Sequence, residues 1–173
     1  MSSLIMGRQR RGKNELSTLV DPATIVGPEQ IYPLGYEAYV PAGSTNGNGP
    51  QTWVYVKVPN GTPAFMVMSR TNATLFEVSS AGPAEQINTP VGASQSAIPA
   101  NHFGFILRNG VGKLTAATGI SIVYNESVIM AASGEVTTHA GVVATDSGFG
   151  FAVTAVTSGA DPVEFTAYVN FLG

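Results

Sequence analysis

Short runs of β-branched and aromatic residues, interrupted by glycine turns, fill residues 103–155 and constrain the fold more than any other feature. Asparagine or glycine stands between nearly all of these runs. Strands this short and this regularly interrupted are typical of an antiparallel meander that closes into a barrel or folds into a sandwich. The predicted strands are residues 103–107, 113–115, 120–124, 127–130, 135–137, 141–143 and 149–153.

The clearest alternation of side chains begins at residue 51. Trp53, Tyr55 and Lys57 share one face of residues 51–58, and valines occupy the other. The pair Asn60-Gly61 then predicts a tight turn into a second strand over 64–68, with a third over 73–78. These three segments are expected to form a hairpin-linked sheet.

Two longer stretches frame the central region. Residues 80–101 hold small residues and three prolines, which favours a long excursion over the surface. Residues 163–172 alternate without a break, so a last strand is expected to return beside an early one. The segments 102–107 and 148–153 both contain Phe-Gly-Phe, which indicates two comparable strands in one sheet.

The N-terminal region differs in composition and predicts an extended arm over residues 1–50, followed by a β-domain over 51–173. Proline at five positions between 22 and 50 forces extended backbone. Four of the eight basic residues precede the first acid, so the arm begins with +4, and residues 14–173 carry four basic against eleven acidic groups, or −7. The candidate partner-binding residues of the arm are Arg8, Arg10, Arg11 and Lys13.

This basic segment is too polar to order by itself and is expected to stay mobile until it binds something. Docking onto an acidic protein surface, contact with nucleic acid and a plain solvated tail are the three interpretations. Docking on protein is favoured, and direct contact with nucleic acid is not expected.

Charge and cysteine content exclude several classes of protein. Charged residues make up 11% of the chain, far below the roughly 25% of an average domain, so much of the surface must be neutral. Such a surface suits a protein that is packed against partners. Cysteine is absent, which excludes a disulfide framework. No apolar segment has the length of a signal peptide or membrane span, so we expect synthesis in the cytosol and no membrane contact.

No residue pattern predicts catalysis. Residues 110–115 resemble a fragment of a phosphate-binding loop, but the first glycine and the Ser/Thr of that motif are missing. His102 and His139 are 37 positions apart, which is a poor spacing for a metal site. We therefore expect no enzyme activity, catalytic residue, small-molecule substrate, cofactor or metal.

The rhythm of residues 101–157 resembles that of tailed-phage capsid decoration proteins, also called cement proteins. The resemblance lies in the runs 101–116, 132–138 and 148–155, with their apolar pairs, Ala-Ser-Gly-Glu-Val and Gly-Phe-Ala-Val-Thr. It implies an all-β protein on the outside of an icosahedral head, made in the host cytoplasm. It also implies a homotrimer that bridges and stabilises major capsid proteins.

Two other classes remain open. A phage tail or fibre component would share the glycine-rich β composition, although it usually shows longer repeats. A carbohydrate-binding β-sandwich needs exposed aromatic rings, for which Trp53 and Tyr55 are the close candidates. Core or interface packing explains these two rings better.

Overall fold

The computed structural model describes residues 8–10, 13–15, 21–41, 49–72, 76–80, 90–138, 148–158 and 162–171, with the backbone alone at 8–10, 13–15, 72 and 132. The structure is nearly all β, with 53% strand and 4% helix. The prediction of an all-β fold of the barrel or sandwich type is confirmed. The helical part described consists of the 3-10 turns Pro22–Thr24 and Ala132–Gly134, and no helix in it is long and apolar enough to cross a membrane.

All strands of the described residues belong to one continuous hydrogen-bonded network. In chain order they are β1 Arg8–Arg10, β2 Lys13–Glu15, β3 Val26–Gly27, β4 Glu37–Val40, β5 Gln51–Val58, β6 Val67–Asn72, β7 Glu77–Ser79, β8 Pro90–Ala93, β9 His102–Ala116, β10 Ser127–Met130, β11 Val136–Thr138, β12 Gly150–Ala152 and β13 Val163–Asn170.

The long strand β9 is shared by two closed rings of strands. Its first half pairs with β5, and the ring runs on through β7, β6 and β8 back to β9. Its second half pairs with β13, and the second ring runs through β12, β10 and β11 back to the end of β9. Most pairs are antiparallel, and the pairs β2–β4, β5–β7 and β9–β11 are parallel. The fold is therefore organised around β9.

Each ring has its own apolar filling. The valines of β5 meet Met68 and Ile106 inside the first ring. The second ring encloses Leu114, Val128 and Phe165 with their neighbours, in a cluster that continues to the opposite face of β5. Trp53 and Tyr55 lie on that opposite face and are 2% and 1% exposed. The alternation predicted for β5 is confirmed, and both of its faces are buried.

The prediction of two strands over 103–107 and 113–115 is wrong, because β9 continues through the glycines between them. Gly110 has φ +122°, and a Cβ there would lie 2.8 Å from Gln51 Cγ. A Cβ at Gly112 would lie 2.4 Å from Leu107 Cδ2. Here glycine allows a close approach and a local irregularity within a strand, and the chain does not turn back.

Two predictions near turns are also wrong. Residues 120–124 form a single bridge, Ile122 to Val156, followed by a turn. Gly61 does adopt the left-handed region, at φ +71°, but β5 and the next strand do not pair as a hairpin. β6 pairs instead with β7 and β8.

Of the surface excursion expected over 80–101, residues 81–89 lie outside the described part. The prediction is wrong for the second half. Residues 90–93 form β8, and Val91 and Ile98 are buried. β13 does not join an early strand but pairs with β9 and β12. Each of these strands closes one ring by pairing with β9: β8 closes the first ring and β13 closes the second.

The segment 21–41 packs onto this framework. β3 pairs with β9, β4 pairs with β5, and Glu37 on β4 forms an ion pair with Arg108 on β9. The Asp21 side chain caps the first 3-10 turn by accepting a hydrogen bond from the Ala23 N–H. β1 and β2 form a hairpin whose second strand lies parallel to β4.

Candidate partner-binding surface

Four neighbouring strands of the second ring place one residue each in a line on its outer face. The register pairs Phe151 with Ser127 on one side and with Tyr168 on the other, and Tyr168 pairs with Val111. We call these four residues the aromatic row. Phe151 is 40% exposed, and its ring stacks on that of Tyr168 with 5.2 Å between centroids. The row is a mostly apolar strip at the surface.

Polar pairs border the aromatic row along the same face. Asn109 donates a hydrogen bond from Nδ2 to Oδ1 of Asn170 at 2.9 Å. On the other side, Lys113 Nζ lies 3.3 Å from Glu164 Oε2 in an exposed ion pair. The strip therefore has an aromatic centre and a charge-neutral polar rim, which is the usual anatomy of a protein interface.

The local sequence explains why Phe151 and Tyr168 face outward together. Along β13, Phe165 and Ala167 belong to the positions that alternate with Tyr168, and both are buried. Tyr168 must therefore face away from the core. At Gly150 a Cβ would lie only 2.2 Å from the backbone oxygen of Tyr168. Glycine at this position lets β12 approach β13 closely enough for the aromatic side chains of Phe151 and Tyr168 to stack.

A second exposed apolar element lies beside the aromatic row. The turn that precedes β10 carries Val123 and Tyr124, which are 63% and 72% exposed. Its backbone is tied to β12, since the Asn125 N–H donates to the Ala152 oxygen and the Ala152 N–H donates to the Glu126 oxygen. The turn is thus fixed next to Phe151, which enlarges the apolar surface on this side.

The corresponding Phe-Gly-Phe segment in β9 is covered. Phe103 and Phe105 contact Tyr55, and Tyr32 packs edge-on against Phe105 at 5.4 Å. Tyr36 stacks on Tyr32 at 5.1 Å. Burial raises the pKa of Tyr32, of Tyr36 and of Tyr55 above the ordinary value, because the tyrosinate form would lose its hydration.

A cleft opens where β5 and β9 part, next to the aromatic row. We call it the anchor cleft; its volume is about 220 Å³. Lys113 connects the two features, because it lies two residues beyond Val111 on the same side of β9. The side chains that line the cleft include Asp21, Gln51, Trp53, Phe65, Gln95 and Lys113.

Phe65 enters the anchor cleft from a strained backbone. Its φ of +65° lies in the left-handed region, which costs a bulky residue about 1–2 kcal/mol. Two hydrogen bonds hold it there: the Phe65 N–H donates to the Ser94 oxygen at 2.8 Å, and the Thr115 N–H donates to the Phe65 oxygen at 2.9 Å. Lys113 Nζ lies 5.2 Å from the centroid of the ring.

The structure places the sequence-predicted residues in three different settings. Arg8 and Arg10 lie in β1 and Lys13 in β2, while Arg11 lies outside the described residues. The arm therefore holds a hairpin, and the prediction of docking through its side chains stays a prediction. His102 Nδ1 is 2.9 Å from the Ala100 oxygen, and His139 is outside the described part.

Two interpretations of single motifs change with the structure. Trp53 and Tyr55 are buried, so they cannot form the exposed platform that a carbohydrate-binding module needs. Residues 110–115 lie within β9, so they do not form a phosphate-binding turn between a strand and a helix. Both observations agree with the preferences stated from the sequence.

Sequence reasoning missed the aromatic row as a surface. The signal was present, because Phe151 and Tyr168 each lie on strands with buried alternate positions. The register that brings β12, β13 and β9 side by side was not readable from the sequence. The anchor cleft was missed for the same reason, since its lining comes from segments up to 92 residues apart, Asp21 to Lys113.

Comparison with known proteins gives little guidance. No family model matches the chain, and no curated protein matches it. Among solved structures, the N base of head fibre gp8.5 from bacteriophage phi29 is similar at 14% identity and a TM-score of 0.49. The match covers 68% of this chain and 92% of that one. Similarity at this level does not reveal what the chain does.

Proposed function

We propose that this chain is a structural protein of a bacteriophage virion, and that it decorates and stabilises an icosahedral capsid by bridging major capsid proteins. The observation that carries the proposal is the aromatic row, in which an exposed Phe151 stacks on Tyr168 on the outer face of the sheet with a neutral rim. Aromatic residues at the centre of a surface patch are typical of binding hot spots between proteins. The resemblance of residues 101–157 to cement proteins is the reason to propose the capsid as the partner.

The low content of charged residues supports a protein that functions while bound to partners. With 11% charged residues and a mean hydropathy of +0.18, the protein has little of the charge that keeps free proteins apart in solution. A protein that bridges capsid subunits only in the assembled head stabilises that head by mass action. The gain is about 2.7 kcal/mol per site when its concentration is roughly 100-fold above Kd.

Replacing Phe151 tests the proposal directly. Phe151→Ser removes the exposed ring while leaving the core intact, and we expect binding to heads that lack the protein to weaken by roughly 10-fold or more. Co-sedimentation with such heads measures the bound fraction. Heads saturated with the wild-type protein should release DNA at a higher temperature than bare heads.

Val163→Ser is the matched control. Val163 is 37% exposed, a value similar to the 40% of Phe151, and lies on the same sheet. It shares the side of β13 that carries the buried Phe165 and Ala167, so it lies on the opposite face from Tyr168. It should bind heads like the wild type. Equal binding by both variants would overturn the role of the aromatic row, and attachment confined to a tail or fibre would overturn the capsid role in favour of a tail or fibre component.

The proposal includes an accessory contact through the basic arm and assembly as a homotrimer. Deleting residues 1–13 removes Arg8, Arg10, Arg11 and Lys13, and should lower occupancy on heads at low salt while circular dichroism still reports a folded β-domain. The loss should shrink as salt rises, because exposed ion pairs contribute at most about 1 kcal/mol each and are screened. Head binding at low and high salt and light scattering of the free protein check these two points. Equal low-salt binding by truncated and intact protein would identify a solvated tail.

A further inference from the structure

The anchor cleft has the size of a single side chain. Pockets for small-molecule ligands are roughly 300–1,000 Å³, and this cleft is about 220 Å³. It opens beside the aromatic row, so a protein that covers the row also covers the cleft. This geometry favours one projecting residue of a docked protein over a free metabolite.

The charge balance of the anchor cleft favours a cation. The carboxylate of Asp21 accepts one hydrogen bond, from the Ala23 N–H at 3.0 Å to Oδ1, and its other oxygen has no donor within the part of the chain that the structure describes. Lys113 is neutralised by Glu164 at 3.3 Å. Glu164 lies outside the lining of the cleft, and its ion pair with Lys113 leaves the Asp21 carboxylate as the charge in the lining that no described ion pair compensates.

The aromatic wall of the cleft already holds a cation. Lys113 Nζ lies over the ring of Phe65, although its side chain is 56% exposed and also reaches Glu164. Because the ion pair with Glu164 does not depend on Phe65, Lys113 can yield the ring face to an arriving cation. Phe65 keeps its strained conformation through two backbone hydrogen bonds, and strain that the fold maintains in this way clusters at binding sites.

We propose that the anchor cleft binds one arginine side chain of the protein on which the aromatic row docks. A guanidinium is planar, so it can stack on Phe65 while its N–H fork meets the free oxygen of Asp21. A lysine ammonium would satisfy the charge but could not stack and fork at once. The inference rests on the proposed function only in naming the docked protein, and the cleft itself can be tested without that protein.

Trp53 provides an internal reporter, because it is the single tryptophan of the chain and lines the cleft. We expect Nα-acetyl-arginine methylamide to change Trp53 fluorescence saturably, with a Kd in the millimolar range. The citrulline analogue, which has the same shape without the charge, should give no saturable change, and the lysine analogue should bind more weakly than arginine.

Three variants set the expected order of affinity. Asp21→Asn keeps an oxygen for the Ala23 N–H and removes the charge, so the response to arginine should fall by roughly 10-fold. Lys113→Ala frees the Phe65 ring and should bind arginine more tightly than the wild type. Glu29→Gln, an exposed carboxylate outside the cleft, is the matched control and should behave like the wild type.

The same variants on heads separate this inference from the proposed function. Weaker head binding by Asp21→Asn than by Glu29→Gln, together with the fluorescence result, supports an arginine of the capsid surface. An absent arginine response, or one that Asp21→Asn leaves unchanged, overturns the arginine site even if heads bind. A normal arginine response with no head binding by any variant keeps the site and overturns the capsid role.

Discussion

The two Phe-Gly-Phe segments of this protein have the same sequence but different surroundings. Phe103 and Phe105 lie beneath Tyr32, Tyr36 and Tyr55, and Phe105 is 1% exposed. In the second segment Phe149 is buried against Phe171, with 4.6 Å between ring centroids, whereas Phe151 stacks on Tyr168 and remains 40% exposed. The proline-rich segment supplies Tyr32 and Tyr36 to the cover of the first segment, and no such cover lies over Phe151 in the described residues. A ring that its own chain leaves exposed is available to a partner.

Truncating one ring in each segment should give the largest contrast in stability. Phe105→Ala removes a buried ring and should lower the free energy of unfolding by about 3–5 kcal/mol. Phe151→Ala removes a surface ring and its stack, and should cost about 1 kcal/mol or less. Urea denaturation followed by circular dichroism measures both. Similar losses would mean that the open segment is part of the core.

The second largest contrast in stability is expected between alanine substitutions at the glycines of the two segments. A Cβ at Gly150 would meet the Tyr168 backbone oxygen at 2.2 Å, so Gly150→Ala should force the strands apart and cost about 1–3 kcal/mol. At Gly104 the nearest atom is the flexible end of Ile98 at 3.1 Å, and Gly104→Ala should change stability by less than about 1 kcal/mol. Thermal unfolding of the two variants side by side checks the order, and the reverse order would contradict the packing described here.

The three tyrosines that cover the first segment should give the smallest effect on stability, and this effect should be visible only at high pH. Burial is the largest cause that raises the folded-state pKa of Tyr32, Tyr36 and Tyr55. The unfolded chain therefore releases the three hydroxyl protons at lower pH than the folded chain. Their contribution to stability is present in full below the ordinary pKa of about 10 and is lost as pH rises through the raised folded values.

Tyr32→Phe should therefore reduce the loss of stability above about pH 10, and it should shrink the late-titrating part of the tyrosinate absorbance. Urea midpoints at neutral and alkaline pH measure the first effect, and a spectrophotometric titration measures the second. The same dependence of stability on pH in the wild type and the variant would show that Tyr32 is not part of the cover.

Most of the strands could be predicted because their side chains alternate with a period of two over several residues. β5 and β13 have this pattern, and the structure confirms them as strands. Glycine was the least reliable signal. At Asn60-Gly61 and at Ser133-Gly134 it marks a turn with positive φ, whereas at Gly112 it marks a close approach within β9. The sequence looks alike in both cases because the reason for glycine lies in a distant side chain.

What the sequence by itself determined is the all-β class, the two faces of β5 and the absence of any catalytic pattern, since these depend on residue type and local period. Only the tertiary structure decided which strands are neighbours, and with them the two rings that share β9. The aromatic row and the anchor cleft both depend on that decision, because each combines residues from strands that are far apart in the chain. Register is set by long-range packing, which no local pattern encodes.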